Sequence, residues 1–390
     1  MGIFSKQKEE SKLALVFDLG SSSVSGALFW MKRDGAPQII FSIREPIVLE
    51  EKIDFNKFLS ETLKTLEIVA SKASISGLGA PTKFFCVLSS PWYSSQVRNI
   101  SLKKNTPFIF TSKLADELIQ KESSLFKEEY LKNEQSENQV RPIELRNMRT
   151  MLNGYATSKP LNQKTKDIEM AVFVSMSPEK VLIGIEDIVE KHFHQRDVKF
   201  SSFVLASFTV ARDMFIHQDN FSLVDIGGEI TEISLVKKDA LCSSSSFPIG
   251  YNYFVRELSA RLKCSLDEAK SYISLYNDNH ASVTTEKKLK PIIEKLKLEW
   301  LAQFQKALVF LSNDISVSST IFMTVDEELA EFFAETIKNE QFNQYAFTES
   351  KFRVVYLGTQ MLHGIAEYKK DIKHDSFITI ESIYINHFLG

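Results

Sequence analysis

The sequence predicts an α/β protein of two or more domains, built on a duplicated strand-turn-strand unit with a small α+β module inserted between the copies. Three observations carry this. A chain of 390 residues exceeds the roughly 250–300 at which one hydrophobic core stops growing. A strand, acid-glycine turn, strand unit near the N-terminus, VFDLGSSSVSGALF, returns in the second half as LVDIGGEITEISLV, and a repeated supersecondary unit marks a duplicated architecture. Between the copies, a strand, strand, helix grouping interrupts the pattern.

The elements follow in order. LALVFDLG, SGALFWMK and QIIFSIRE are β-rich runs separated by Gly20, Ser21, Ser22 and Ser23 and then by RDGAP, and they form a three-stranded meander. Over residues 55–73, Phe58, Leu59, Leu63, Leu66, Val69 and Ala70 recur at helical spacing, so a helix lays one face on the sheet. FFCVLSSP is a buried strand that ends before Pro91. Residues 113–139 are charged and helical and run into an exposed polar connection at 133–138. Two strands, VRPIELRNMRTMLNGY and DIEMAVFVSMS, precede an amphipathic helix, PEKVLIGIEDIVEKHF, with Pro178 where a helix start tolerates it. The second copy, FSLVDIGGEITEISLVKKDALCSSSSFPIG, supplies three more strands. Ser265 and Glu268 make a capping box, and LKPIIEKLKLEWLAQFQKALVFL is a long amphipathic helix. STIFMTV is a strand, followed by a helix over 327–338, a strand over 352–356 and a last helix beginning near Gly358. The final stretch, HDSFITIESIYINHFLG, alternates like a strand.

Composition narrows the function classes. A hydrophobic share of 44% and a charged share of 25% are those of a soluble globular protein, and a net charge of -3 gives no electrostatic ground for a nucleic-acid partner. No apolar run approaches the roughly 18–20 residues that cross a bilayer. The N-terminal MGIFSKQKEESK lacks a signal-peptide core, and Lys6 breaks the myristoylation pattern, so this end reads as a flexible charged tail. Cys86, Cys242 and Cys264 lack the spacing of a zinc site and are expected to be buried free thiols in a reducing cytoplasm.

The two turns suggest a chemistry. Glycine lets backbone N–H groups approach an oxyanion, and serine hydroxyls add donors, so each turn can cradle phosphate oxygens. Asp18 and Asp225, at the strand ends, are placed to hold Mg²⁺ through its water shell. Two such turns across a cleft make a nucleotide clamp.

The arrangement resembles the actin-like ATPase superfamily and, within it, the bacterial FtsA and PilM branch. VFDLGSSSVSGAL is similar to the first phosphate loop of that family, LVDIGGEITEISLV to the second, FSSFVLASFTVARDMF to the helix connecting the halves, and YLGTQMLHGIAEY to the final connecting helix. FPIGYNYFVRELSARLKCSLDEAKSY is similar to the segment that follows the second loop. RNMRTMLNGYATSKPL with DIEMAVFVSMSPEKVLIGIEDIVEK resembles the SHS2-type subdomain of FtsA and PilM.

The resemblance implies a duplicated ribonuclease-H-like fold: a tail at 1–12, a first lobe at 13–90, an SHS2-type subdomain at 91–200, a connecting helix at 201–220, a second lobe at 221–370 with a helical part near 251–300, and a C-terminal tail at 371–390. It implies ATP and Mg²⁺ as cofactors. Phosphates would lie on Asp18, Gly20, Ser21, Ser22, Ser23, Asp225, Gly227, Gly228 and Thr231, the base and ribose beside Gly250, Glu268 and Thr324, and Mg²⁺ would be held through water by Asp18 and Asp225.

Some residues depart from the family pattern. Glu229 stands where a third glycine is usual, Tyr251 replaces the second glycine of a pair, and Asp326, Glu327 and Glu328 fill the turn where adenosine-side glycines are expected. Carboxylates there repel phosphate oxygens. The connecting helix offers only Ser207 and Thr209, so no catalytic base is assigned and hydrolysis is at most slow.

By resemblance the chain is a cytoplasmic scaffold, peripheral to the inner membrane, that binds ATP weakly and self-associates into dimers or filaments. A tubulin-like division protein is the preferred partner. The alternative is a membrane protein of type IV pilus or related secretion machinery, bound through its cytoplasmic peptide near the inserted module, with the chain acting as a nucleotide-free pseudo-ATPase. The lack of Lys or Arg after Lys373, where FtsA carries a basic membrane helix, speaks for the alternative. A kinase-like phosphotransferase on the same superfold is a third reading.

Overall fold

A computed structural model describes residues 12–33, 35–134, 139–312, 317–339 and 351–389, so most of the expected N-terminal tail and residues 135–138 of the polar connection lie outside the described residues. Strands β1 (Lys12–Leu19), β2 (Ser23–Met31) and β3 (Gln38–Pro46) form the expected antiparallel meander. Helix α1 (Phe55–Ser74) starts at Asp54, whose carboxylate accepts the Lys57 N–H, and buries Leu59, Leu66, Val69 and Ala70. It leads into β4 (Lys83–Leu88), which pairs parallel to β1.

The inserted module follows. Strand β5 (Ser94–Ile109), helix α2 (Ser112–Glu134) and strands β6 (Val140–Leu152), β7 (Tyr155–Ala156) and β8 (Lys164–Pro178) build a four-stranded sheet in the order β5-β8-β6-β7. Its own core includes Ile100, Phe110, Ile168 and Val172. Sequence reading did not announce β5, because SLKKNTP interrupts its alternation; the register with β8 shifts there, between Lys103 and Phe108. Helix α3 (Glu179–Phe193) packs its Val181, Leu182 and Ile185 into the core of the first lobe. Strand β9 (Val198–Ser202) joins β4 in parallel and runs into α4 (Phe203–Met214), which is buried from Phe203 through Ala211.

The second lobe repeats the wiring. Strands β10 (Asn220–Ile226), β11 (Thr231–Lys237) and β12 (Ala240–Phe247) form the second meander. Helices α5 (Tyr251–Leu262), α6 (Leu266–Asn277) and α7 (Val283–Ser312) come next, with the expected capping box at Ser265 and Glu268. Then β13 (Thr320–Val325), α8 (Ala330–Lys338) and β14 (Arg353–Tyr356) complete a sheet in the order β12-β11-β10-β13-β14.

The end of the chain corrects two expectations. No helix begins near Gly358: residues 357–366 are turns and irregular backbone that carry the chain back to the first lobe, where β15 (Glu367–Tyr368) pairs with β3. The last α-helix is instead α9 (Ser376–Tyr384), within the stretch that alternates like a strand. Its β-branched Ile378, Thr379, Ile380 and Ile383 favour a strand on propensity. The Asp375 cap, accepting the Phe377 and Ile378 N–H groups, and burial of all but Phe377 select a helix hidden on every side. A smaller correction concerns the thiols: Cys86 is buried, whereas Cys242, on edge strand β12, and Cys264, just past α5, are partly exposed.

Candidate functional site

In register across β1, β2 and β3, Asp18 lies opposite Ser25 and Ser25 opposite Arg44, so the three side chains share one face in a row. Asp18 is 2% exposed, and burial pushes its carboxyl up to about 7 even though Arg44 works against the shift. Arg44 Nε donates to Ser25 Oγ at 3.0 Å. Its guanidinium also pairs with Asp375 at 3.2 Å and Asp326 at 2.6 Å, lies 3.8 Å from Asp18, and sits 4.9 Å over the Phe377 ring. From α9, Glu381 is fully buried, with its carboxyl within hydrogen-bonding reach of that of Asp18. Burial first, and then the neighbouring Asp18, push its pKa well above the carboxylate range.

The second lobe has the matching row Thr324, Asp225, Glu232, Ser246 across β13, β10, β11 and β12. Thr324 Oγ1 donates to Asp225 Oδ1 at 2.8 Å, and burial raises the Asp225 carboxyl to about 8. Glu232 reaches the first lobe, accepting from Ser90 Oγ and Tyr93 OH, each at 2.9 Å.

The two turns meet directly. Gly20 N–H donates to Ser23 O at 3.1 Å and Gly227 N–H to Ile230 O at 2.9 Å, closing each turn on itself. Glu229 N–H donates to Ser21 Oγ at 3.0 Å, and Asn252 Nδ2 to Ser21 O at 3.4 Å. A Cβ on Gly228 would stand 2.7 Å from Ser21 O, so only glycine permits this approach. Gly250 is equally constrained: a Cβ there would lie 2.3 Å from Gly227 O. That closeness lets the Tyr251 and Asn252 N–H groups, at the start of α5, donate to Gly227 O and Gly228 O at 3.0 and 2.7 Å. The Glu229 carboxylate turns away from Ser21, onto Asn252 Nδ2 at 2.7 Å and into a close ion pair with Arg256.

Asp18, Gly20, Ser21, Asp225, Gly227, Gly228 and Gly250 are thus brought together, while Ser22 and Ser23 line an adjoining cleft. Thr231 points inward, donating to Ile249 O at 2.7 Å and accepting from Trp300 Nε1 at 3.0 Å. Thr324 serves Asp225. Glu268 is not brought to the site: its carboxylate accepts the Ser265 N–H at 2.8 Å in the exposed capping box. Ser207 and Thr209 donate into their own helix, to Val204 O and Leu205 O.

These residues do not fit a magnesium triphosphate held between the turns. The N–H of Glu229 and those that open α5 are taken up by protein oxygens, and Gly228 presses on Ser21. The adjoining cleft, about 1200 Å³, is roomy, but its carboxylates Asp326, Glu327, Glu328 and Asp375 outnumber the cations Arg44, Lys270 and Lys373. Sequence reading missed Arg44, Asn252, Arg256, Asp375 and Glu381. The meander register alone would have placed Arg44 in the row of Asp18.

By sequence, no family model and no curated protein matches the chain. By structure it is similar to a chain of the PilM-PilN type IV pilus biogenesis complex, at 11% identity and a TM-score of 0.60, covering 96% of this chain and 97% of that one. It is also similar to the ethanolamine utilization protein EutJ from Carboxydothermus hydrogenoformans, at 11% identity and a TM-score of 0.41, over 96% and 89% of the two chains. A Bacteroides thetaiotaomicron protein with an actin-like ATPase fold is similar at 7% identity and a TM-score of 0.45, over 97% and 98%. Two sheets of the same wiring, joined through a buried helix and meeting at paired acid-glycine turns, follow the pilus-complex chain over nearly its whole length, and the protein has the actin-like ATPase fold.

Proposed function

We propose that the protein is an actin-like scaffold of the type IV pilus kind, which holds the cytoplasmic peptide of a membrane partner and works without a nucleotide clamped between its lobes. The observation that carries this is the direct contact of the two turns, Glu229 N–H on Ser21 Oγ at 3.0 Å, where the ATPases of this fold need an open phosphate site. The likeness to a chain of the PilM-PilN complex supports the pilus side of the reading. On this reading the four-stranded module is the counterpart of the SHS2-type subdomain, near 91–200, and the partner peptide docks beside it. Helix α9 lends the division reading no support as a membrane-binding amphipathic helix: it is a core helix, with Ile378, Ile380 and Ile383 all buried in the first lobe. No helix among the described residues is long and apolar enough to cross a membrane.

Two measurements test the reading together. Deleting the gene in its own cell should remove surface filaments while cells divide at normal length, and titrating the purified protein with Mg·ATP should give no binding at millimolar nucleotide. Undivided, elongated cells that keep their filaments would overturn the pilus assignment. Saturable ATP binding would overturn nucleotide independence.

A further inference from the structure

We infer that Arg44 is an internal cation that latches the two lobes closed in place of a ligand. The inference rests on the nucleotide-independent reading above and names what holds the cleft in its absence. On the first-lobe side the guanidinium is fixed in advance: Ser25 Oγ, a fully buried acceptor, takes its Nε proton at 3.0 Å, Asp375 pairs with it at 3.2 Å, and the Phe377 ring lies 4.9 Å beneath it. The free edge is presented to the second lobe, where Asp326 Oδ1 accepts at 2.6 Å; Ser22 Oγ, also of the first lobe, donates to the other oxygen at 3.4 Å. One carboxylate of the second lobe therefore takes two donors from the first.

An isolated exposed pair contributes little, because two long side chains must be ordered and salt screens the attraction. This one differs in two respects. Ordering has already been imposed by Ser25, Asp375 and Phe377, so little entropy is lost when Asp326 arrives. Arg44 also separates acids that otherwise face one another: Asp18 and Asp375 on the first lobe and Asp326 on the second. Its removal cancels an attraction and leaves a repulsion of the same origin. Behind it, the contact of Glu229 N–H with Ser21 Oγ closes only while the lobes are held together. Both members of the cross-lobe pair are about one-third exposed, with side chains 32% and 35% accessible, so the latch weakens as salt rises.

Hydrogen exchange across the two turns, residues 18–23 and 226–230 of the full chain, reads the latch directly. Arg44→Gln should speed exchange in both turns about tenfold. Asp326→Asn, which leaves every first-lobe partner of Arg44 in place, should speed it several-fold. The double variant should exchange no faster than Arg44→Gln, since the link is lost once and one of the opposed acids is neutralised. Raising salt from about 0.05 M to about 0.5 M should speed exchange in the wild type and not in Arg44→Gln. Wild-type rates in Asp326→Asn, or effects that add in the double variant, would overturn the latch. Added Mg·ATP separates this inference from the reading beneath it. Protection that grows with Mg·ATP overturns nucleotide independence, and the rates without ligand then decide the latch. Equal exchange in wild type and Arg44→Gln overturns the latch and leaves nucleotide independence standing.

Discussion

Asp18 ties stability to pH through a proton. Its carboxyl has an ordinary value near 3.8 when unfolded and about 7 in the folded chain, because burial disfavours the charged form. Between those values the native state keeps a proton that the unfolded chain has released. Folding then takes up a proton, and stability falls as pH rises: the contribution is whole below about 4 and gone above about 7. Asp225 acts in the same direction, raised to about 8, although its partial exposure opposes the rise. The melting temperature should therefore drop between pH 5 and pH 8, and Asp18→Asn, which cannot lose the proton, should flatten that slope. An unchanged slope in the variant would place the proton elsewhere. At this scale the sequence was partly legible. Asp18, Gly20, Asp225 and Gly227 announced themselves because acid and glycine recur at a fixed spacing in a repeated unit. Glu229 and Ser21 could not announce their bond, being 208 positions apart. Arg44 looks like any solvated charge until the register places it beside Ser25.

At the scale of elements, α9 shows why local pattern misleads. Four β-branched residues in nine suggest a strand, and only tertiary burial with the Asp375 cap makes the segment a helix. The module is joined to this helix through Glu144 of β6. Its buried carboxyl accepts from Ser201 Oγ in a close contact, from the Ser202 N–H at 3.0 Å, from Ser202 Oγ at 2.6 Å and from Tyr384 OH at 2.9 Å. The group thus joins the inserted sheet, β9 and α9 at one point. Tyr384→Phe removes one donor from an oxygen that Ser201 still serves, and should cost about 1 kcal/mol. Glu144→Ala strands several buried donors at once and should cost about 3 kcal/mol. Urea unfolding followed by circular dichroism measures both. Equal costs for the two variants would mean that Glu144 does not act as the junction. Strands and helices with one clear periodicity, such as β1, β4 and α1, were readable in advance. Strand β5 was not, since its middle is charged and its pairing is set by β8 rather than by its own pattern.

The duplicated architecture was legible because two copies of one unit stand far apart in a long chain; the way the copies join was not, because it depends on aromatic residues brought together from separate elements. The core of the first lobe continues into the floor of the second through Phe221, Leu223 and Phe322. There Phe322 of β13 stacks on Phe215, just past α4, at 4.4 Å between centroids, and meets Phe221 edge-on at 4.9 Å. An apolar floor of this kind makes the lobes one cooperative unit, while the polar contacts at the turns and at Arg44 decide only how far the cleft opens above it. The two kinds of contact predict different failures. Loss of Arg44 should loosen the turns without dividing the melt. Phe322→Ala removes a nearly buried ring from between the lobes and should cost about 3–5 kcal/mol. It should also split a single calorimetric transition into two, because each lobe keeps its own sheet and much of its own core. One transition at a lower temperature in Phe322→Ala would mean that the lobes are coupled chiefly elsewhere. The next candidate is then Glu232, which accepts from Ser90 and Tyr93 across the same boundary, and Tyr93→Phe should produce the division that Phe322→Ala failed to give.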